Sequence, residues 1–269
     1  MSDAAPILAA RGVCKSFGGL KAVQNFTLSL RPGALDGLIG PNGAGKTTCF
    51  NLLTGVYRPD SGEMALAGSD ITRRRPSHIC AAGIARTFQN IRLFGELSVL
   101  DNVRLACHVR SRQSMFGSIL RLPYAAGEER AITARARELL DFFGLAHREG
   151  EQANSLPYGD QRKLEVARAL ATDPKVLLLD EPAAGMNSGE KVALRELIRR
   201  VRQRFGPAIL LIEHDMALVM DICENITVLD YGQIIARGSP REVQNDPKVI
   251  EAYLGVDEGQ EAKAGAAHA

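Results

Sequence analysis

The sequence predicts an α/β domain with a mainly parallel sheet and helices on both of its faces. In the second half of the chain, strand-sized apolar runs such as Val176–Leu179 alternate with helical patterns, as is typical of parallel sheets. Residues 7–40 instead read as short strands joined by turns, which predicts a β region at the start. Residues from about 90 to 160 are mostly helical in pattern, so we expect a helical lobe inserted into the sheet domain.

The composition is that of a soluble globular protein. The chain has 269 residues, of which 45% are hydrophobic and 24% charged, and no run nears the roughly 20 apolar residues of a spanning helix. A formal net charge of +2 is too small to indicate nucleic-acid binding, and we interpret the tight basic run Arg73–Arg75 as a solvated loop. The N-terminus MSDAAPILAA lacks a basic region and does not resemble a signal peptide, so we expect a cytosolic protein.

The cysteines indicate neither a zinc site nor a disulfide framework, because their number is odd and none forms a C-x-x-C pair. We expect them to be small buried side chains in a reducing compartment. They are Cys14, Cys49, Cys80, Cys107 and Cys223.

The β region at the start is expected to contain strands at residues 7–17 and 20–30, followed by a turn at Arg31–Gly33. A buried strand over Ala34–Ile39 comes next, but Asp36 is unusual within it. Because a carboxylate in a strand usually marks its exposed start, we shorten this strand to Gly37–Ile39 and expect Asp36 to be exposed.

The helical lobe is predicted to open at Ser98, which can cap a helix together with Asp101 three residues later. Residues 128–143 continue the helical period and stop at Gly144. Residues 110–127 lie between these helices and give no clear pattern.

After the lobe, strands and helices alternate. Asn187 with Glu190 opens one helix, which Gly206 ends, and Ser239 with Glu242 caps the last helical region. The predicted elements are strand Lys175–Leu179, the helix after Asn187, strand Ala208–Glu213, helix Met216–Ile222, and strands Asn225–Leu229 and Gln233–Arg237. We interpret residues 256–269 as a disordered tail.

The segment GPNGAGKTT fits G-x-x-x-x-G-K-(S/T), the phosphate loop of P-loop NTPases, and lies between a predicted strand and the predicted helix Thr47–Leu53. Glycines let backbone N–H groups surround an anion, and the helix N-terminus adds about half a positive charge. Lys46 would neutralise the β and γ phosphates, and Thr47 would offer a hydroxyl to Mg²⁺. The predicted nucleotide-binding residues of this loop are Gly40, Pro41, Asn42, Gly43, Ala44, Gly45, Lys46, Thr47 and Thr48.

The run VLLLDE is an apolar strand that ends in two carboxylates, Asp180 and Glu181. An exposed loop could carry two such acids, and a glycine-rich turn could carry an incidental lysine. Both alternatives are weakened because the two halves of one site occur together. We predict that Asp180 holds the Mg²⁺ shell and that Glu181 polarises the attacking water.

Together these segments resemble the ATP-binding cassette (ABC) ATPases, and more narrowly the ATPase subunits of bacterial branched-chain amino acid importers. The resemblance runs from about residue 7 to 255 and includes GIARTFQNIRLFGELSVLDNV, LPYGDQRKLEVARALATDPKVLLLDEPAAGMN and LLIEHDMALVMDICENITVLDYGQIIARG. It implies one cassette over residues 1–255: a P-loop NTPase core with an antiparallel β subdomain and a helical subdomain inserted at about residues 90–160.

In this family L-P-Y-G-D-Q stands where the L-S-G-G-Q signature lies. The resemblance implies that Pro157, Tyr158, Gly159 and Asp160 contact the γ-phosphate bound by a second cassette, with Gly159 allowing backbone to approach phosphate. The signature serine is Pro157 here, which removes a hydroxyl donor. A proline pre-sets φ for a first helical turn and lacks only a donor that would be unpaired there.

Other positions match the family's motifs in the same way. Phe17 stands where an aromatic ring stacks on adenine, although it could equally be a core residue. Gln89 matches the glutamine that senses Mg²⁺ and the attacking water while linking the core to the helical lobe. His214 matches the switch histidine that contacts the γ-phosphate. Asn187 replaces a usual aspartate, so any role that requires charge there is in doubt.

The resemblance implies an ATPase that uses ATP and Mg²⁺ to power import of branched-chain amino acids by ATP-driven dimerisation of cassettes. Its partners would be transmembrane permease subunits, a second ABC ATPase subunit and, indirectly, a solute-binding protein, at the cytoplasmic face of the plasma membrane. Alternatives are a soluble ABC ATPase acting on ribosomes or DNA, the ATPase of another transporter such as a lipopolysaccharide exporter, and a P-loop kinase of small molecules.

Overall fold

The computed structural model describes residues 5–110 and 123–253. Near its start lies an antiparallel sheet in the order β2-β1-β4-β5. β1 and β2 agree with the two strands predicted from residues 7–30, whereas the sequence patterns gave no indication of β4 and β5. The strands are β1 Leu8–Phe17, β2 Leu20–Leu30, β4 Ser61–Leu66 and β5 Ser69–Asp70.

The second sheet is mainly parallel, as predicted. Its strands are β3 Leu35–Ile39, β6 Ile84–Arg86, β7 Val176–Asp180, β8 Ala208–Ile212, β9 Asn225–Asp230 and β10 Gln233–Gly238. They are ordered β10-β9-β3-β8-β7-β6, with β10 antiparallel to β9 and the other neighbours parallel. Every residue of β3, β7 and β8 is buried, which explains the continuous apolar runs in β7 and β8.

Helices cover the parallel sheet, and their caps agree with the sequence. Ser98 accepts a hydrogen bond from the Asp101 N–H at 3.0 Å, and Asn187 with Glu190 forms a capping box. The helices are α1 Lys46–Leu53, α2 Pro76–Ala82, α3 Val99–Cys107, α4 Pro123–Phe142, α5 Tyr158–Ala171, α6 Ser188–Phe205, α7 Met216–Ile222 and α8 Pro240–Gln244, and residues 247–253 are also helical. Within the described ranges no helix is both long and apolar enough to cross a bilayer.

Alternate residues of the central strands pack into two separate hydrophobic clusters. Leu177 and Leu179 face a cluster formed with α3–α7, whereas Val176 and Leu178 face a cluster formed with α1 and the antiparallel sheet. The parallel sheet is therefore covered on both sides. Three cysteines are fully buried as free thiols, as expected, while Cys14 and Cys80 are half-buried.

Asp36 contradicts the prediction that it marks an exposed strand start. It lies inside β3 with 8% of its surface exposed, beside Asn225 of the neighbouring strand. The Asn225 side-chain amide donates a hydrogen bond to Asp36 Oδ1 at 3.2 Å. Burial raises the pKa of the Asp36 carboxyl, and the Asn225 donor opposes that rise. The amide on the neighbouring strand thus stabilises a carboxyl group inside β3. Because this partner is 189 residues away, the strand was predicted too short.

Arg73–Arg75 is exposed between β5 and α2, as the loop interpretation expected. The segment without a clear pattern, residues 110–127, lies mostly outside the described residues, and the predicted disordered tail, residues 256–269, lies wholly outside them.

Candidate active site

Four strand ends bring the predicted phosphate-loop, Mg²⁺ and catalytic residues to one edge of the parallel sheet. The phosphate loop follows β3, residues 87–89 follow β6, Glu181 follows β7, and Glu213 with His214 follows β8. Parallel strands place their carboxyl ends at the same edge, and ligands of open α/β sheets bind there. The fold therefore brings segments from across the sequence together.

The phosphate loop has a backbone that requires glycine at two positions. Gly40 and Gly45 have φ values of 149° and 103°. A Cβ atom at Gly40 would lie 2.0 Å from the carbonyl oxygen of Leu229, and one at Gly45 would lie 2.6 Å from that of Ala22. The loop is therefore fixed by β9 on one side and β2 on the other.

Lys46 begins α1 and points back into its own loop. Its Nζ donates hydrogen bonds to the carbonyl oxygens of Gly40 at 2.6 Å and Pro41 at 2.9 Å. Burial lowers the pKa of the Lys46 ammonium group, while the nearby Glu181 and Asp180 carboxylates act to raise it. The loop thus holds a buried cation at the place where the sequence predicts bound phosphate.

Asp180, the predicted Mg²⁺ residue, is buried at the end of β7. Its Oδ2 accepts a hydrogen bond from Arg86 Nη2 at 2.6 Å, and its backbone N–H donates to Thr87 Oγ1 at 3.3 Å. Arg86 also donates from Nη1 to Asn51 Oδ1 at 2.7 Å. Sequence reasoning assigned Arg86 no role. No local pattern predicts β6, so the pairing of Arg86 with Asp180 becomes visible only when β6 lies beside β7.

Glu181, Gln89 and His214 form the cluster that the sequence predicts as catalytic. Gln89 Nε2 donates to Glu181 Oε2 at 2.7 Å, and His214 Nδ1 lies 3.9 Å from the same oxygen. The His214 side chain is 61% exposed, so it remains accessible to a ligand in the cleft. Glu181 has φ of +46°, a left-handed conformation that costs a non-glycine residue about 1 kcal/mol and is often found at functional sites.

Glu213, the residue before His214, is fully buried and was missed as a site residue. It was predicted only as the last residue of a strand. Its carboxylate accepts backbone N–H bonds from Ala183 at 2.7 Å and from His214 at 3.2 Å. Burial raises the pKa of Glu213, and these N–H donors oppose the rise. Glu213 therefore fastens the loop after β7 to the loop after β8, which sets Glu181 and His214 side by side.

The sequence predicted Pro157 in the first helical turn, but the structure places it at the N-cap of α5. It has φ of −55° and an extended ψ of 150°, and the helix begins at Tyr158. A residue with this extended ψ is the N-cap, which comes just before the first helical turn. Proline therefore fixes φ of the residue that precedes the helix and not of a residue within its first turn. The Asp160 side chain accepts a hydrogen bond from Lys163 Nζ at 2.8 Å.

Gly159 lies in the first turn of α5 with open space beside it. The nearest neighbour of an added Cβ atom would be Glu190 Oε1 at 3.9 Å. Within the described residues, Pro157, Tyr158, Gly159 and Asp160 make no hydrogen bond to the phosphate loop of their own chain. The two predicted halves of a nucleotide site are thus not joined inside one chain.

The helix α5 instead contacts the segment that carries Gln89. Arg162 donates to the Phe88 carbonyl oxygen at 2.7 Å and to that of Gln89, and Glu165 accepts from the Phe88 N–H at 3.1 Å. Tyr158 donates to the Ala184 carbonyl oxygen at 3.1 Å. Through these contacts α5 is connected to the loops after β6 and β7.

Phe17 is not a core residue, since 41% of its surface is exposed. It ends β1, and Tyr57 meets its ring edge-on with centroids 5.0 Å apart. Lys15 Nζ lies over the same ring, 5.4 Å from its centroid, and adenine stacking stays a prediction. The Asn187 side chain accepts from the Glu190 N–H at 3.0 Å, which gives it a capping role that needs no charge.

The donor set suits Mg²⁺. Thr47 offers an exposed hydroxyl at the second position of α1, and Asp180 offers a carboxylate whose Oδ1 accepts no hydrogen bond from the described residues. Mg²⁺ prefers such oxygen ligands and keeps several waters, so few protein ligands are needed. The residues present therefore fit the ion that the sequence predicts.

Comparison with known proteins places these features in a family. The family model described as ABC transporter matches residues 23–184, and the one described as Branched-chain amino acid ATP-binding cassette transporter matches residues 233–259. The chain is 45% identical over 250 residues to LivG, the high-affinity branched-chain amino acid transport ATP-binding protein of Salmonella typhimurium, covering 93% of this chain and 98% of LivG. It is 41% identical to BraF of Pseudomonas aeruginosa, with the same coverage.

Solved structures agree with this relationship. The ADP conformation of MJ1267, an ATP-binding cassette of an ABC transporter, is 33% identical and superposes with a TM-score of 0.80 over 93% of this chain and 98% of that one. A nucleotide-free ATP-binding cassette from an ABC transporter is 32% identical, with a TM-score of 0.77 over 92% of this chain and 98% of that one. The chain therefore belongs to the ABC transporter family of ATP-binding cassettes, as its motifs predict.

Proposed function

We propose that this chain is the ATP-hydrolysing subunit of an importer for branched-chain amino acids. The cluster of Glu181, Gln89 and His214 beside the phosphate loop carries the proposal of hydrolysis. Similarity to LivG and BraF over nearly their whole lengths supports branched-chain amino acids as the transported solute, because both proteins are named as branched-chain amino acid transport proteins.

Binding of ATP would use the phosphate loop as the structure presents it. Backbone N–H groups of the loop and of the first turn of α1 would surround the phosphates. Lys46 would shift its hydrogen bonds from the Gly40 and Pro41 carbonyl oxygens to phosphate oxygens. Phe17, which packs against Tyr57 in a T-shaped pair, would stack on adenine.

Hydrolysis would depend on the two acids at the end of β7. Thr47, Asp180 and Gln89 would hold Mg²⁺, which neutralises charge on the phosphates. Glu181 would accept the proton of the attacking water at Oε2, the oxygen that Gln89 contacts at 2.7 Å. His214 would donate a hydrogen bond to the γ-phosphate from its exposed position.

The open space at Gly159 supports a site completed by a second cassette. In a helix, glycine is about 1 kcal/mol less favourable than alanine, and no described neighbour requires it here. A phosphate from outside could approach the N–H groups of the first turn of α5. We therefore propose that ATP held by one cassette is also contacted by Gly159 of another.

We expect Gly159→Asp to weaken ATP-driven association with the second cassette by at least about tenfold, because a carboxylate there repels the γ-phosphate. The same carboxylate favours the helix N-terminus, so the fold should not be destabilised. Association is measured by size-exclusion chromatography with ATP and Mg²⁺ in a Glu181→Gln background. Gly159→Asn is the matched neutral control and should associate more strongly. Equal association of the Asp and Asn variants would contradict a phosphate contact at this position.

Permease docking is proposed for an apolar groove between α2 and α3. Phe94 is 50% exposed, Leu105 46% and Val109 40%, and all three line this groove together with Phe88. The groove lies next to the segment that carries Gln89, so a permease segment seated there would move with the Glu181 contact. Such coupling is what an ATP-powered transporter requires.

The function is tested by reconstituting the chain with permease subunits and solute-binding protein from the same genome in liposomes. ATP-dependent uptake of leucine, isoleucine or valine, lost with Glu181→Gln, is the expected result. Association with ribosomes or DNA in place of permeases would overturn the proposal. So would a phosphorylated small-molecule product in place of free phosphate.

A further inference from the structure

A buried arginine lies beneath the proposed Mg²⁺ site. Arg86 ends β6 and pairs with Asp180 at 2.6 Å, and the two side chains are 6% and 5% exposed. Its guanidinium carbon lies 5.4 Å from the ring centroid of Phe50 and 5.0 Å from that of Phe88. A cation enclosed in this way has little freedom to leave its carboxylate partner.

The guanidinium connects the two elements that carry the proposed metal residues. One nitrogen, Nη2, holds Asp180 at the end of β7, and the other, Nη1, holds Asn51 of α1 at 2.7 Å. Asn51 is four residues after Thr47, so both lie on the same face of α1. The planar fork of Arg86 therefore ties the helix that presents Thr47 to the strand that presents Asp180.

The segment that begins with Arg86 also contacts Glu181, the acidic residue that follows Asp180. Gln89, three residues later, donates to Glu181 at 2.7 Å. Two side chains of one short segment thus hold two consecutive carboxylates, and a movement of this segment would reach both.

We infer that Arg86 is a positioning residue for the Mg²⁺ site. It occupies Oδ2 of Asp180 and leaves Oδ1 without a hydrogen bond from the described residues. Its fork fixes the separation of α1 and β7 before the metal arrives, so the ion meets ligands already in place. This inference rests on the proposed function, because it takes Thr47 and Asp180 as the residues that hold the metal.

A purely structural role of Arg86 and a positioning role predict different effects of Mg²⁺ on nucleotide binding by an Arg86 variant. If Arg86 only compensated a buried carboxylate, its replacement would lower stability and would affect nucleotide binding equally with and without metal. A positioning role predicts a selective loss of the Mg²⁺ effect. Partners of metal ligands typically change metal affinity about 10- to 100-fold when they are altered.

The test uses the full-length chain and the variants Arg86→Lys and Asn51→Ala. Lysine keeps the charge but lacks the planar fork whose two nitrogens hold Asp180 and Asn51, and Asn51→Ala removes one arm while keeping the ion pair. Arg92→Lys is the control, since Arg92 stacks on Phe88 at 4.4 Å as Arg86 does but has no contact with Asp180. Binding of a fluorescent ATP analogue is titrated in EDTA and against Mg²⁺, and thermal unfolding of the nucleotide-free chain is recorded.

We expect Arg86→Lys to raise the half-saturating Mg²⁺ concentration about tenfold and Asn51→Ala to raise it by a smaller factor. Analogue affinity in EDTA should stay within about twofold of the wild type, because Lys46 is untouched. An unchanged Mg²⁺ requirement in both variants, or equal losses with and without metal, would overturn the inference. If Arg86→Lys does not fold, Asn51→Ala decides. A wild-type chain whose nucleotide binding ignores Mg²⁺ would instead overturn the proposed metal site itself.

Discussion

Glu181→Gln is expected to lower ATP turnover by about 10²- to 10³-fold, the scale for losing one key catalytic group, while ATP binding is retained. The amide can still accept the hydrogen bond from Gln89, so the local geometry should persist. It cannot accept a proton from the attacking water at neutral pH. Turnover is measured as phosphate release, and binding as the affinity for a fluorescent ATP analogue.

Glu196→Gln provides the matched control for this substitution. Its side chain is 60% exposed on α6 and, among the residues that the structure describes, forms an ion pair with Arg199 of its own helix alone, so turnover should equal that of the wild type. If Glu181→Gln also turned over ATP at the wild-type rate, Glu181 would lose its proposed role. Another group would then have to accept the proton.

Much of the fold could be predicted from local sequence patterns. The caps at Ser98, Asn187 and Ser239 were correct, because each depends on a side chain and an N–H group three residues apart. The parallel strands were recognised by their apolar runs. The elements β4, β5, α2 and β6 were not found. β4, β5 and α2 are short and partly exposed, and β6 is buried but only three residues long, so none of them has a clear periodicity of its own. Tertiary contacts decide their structure.

The candidate site divides in a similar way. Lys46, Asp180, Glu181, Gln89 and His214 belong to contiguous motifs, and the structure places them at one sheet edge. Arg86, Glu213 and Arg162 were missed because their roles come from contacts across the fold. Arg86 and Asp180, for instance, are 94 positions apart in the sequence. Without the strand order, no local pattern shows that β6 lies beside β7.

The structure also suggests how one chain could serve two nucleotides. Arg162 and Glu165 of α5 hold the backbone of Phe88 beside Gln89, which contacts Glu181. The same helix begins with Gly159, which we propose contacts ATP on the other cassette. A shift of α5 would therefore alter both sites, so closure around two ATP molecules would be concerted.

Lys46→Ala is expected to abolish ATP binding at ordinary nucleotide concentrations. Truncating one partner of a desolvated charge pair costs roughly 2–5 kcal/mol, and about 4 kcal/mol corresponds to a 10³-fold loss of affinity. Lys46 is 7% exposed, so water can compensate little for its charge. Binding is measured with a fluorescent ATP analogue, with and without Mg²⁺.

Two further variants separate charge from packing in this experiment. Lys46→Met keeps most of the aliphatic stem and should lose binding as Lys46→Ala does, because both lack the ammonium group that would move from the Gly40 and Pro41 carbonyl oxygens to the phosphates. Lys21→Ala, at an exposed position of β2, should bind like the wild type. Unfolding curves establish that each variant is folded, so that lost binding reflects the phosphate contact. Retained affinity in a folded Lys46→Met chain would remove Lys46 from the nucleotide site, and the phosphate-loop assignment with it.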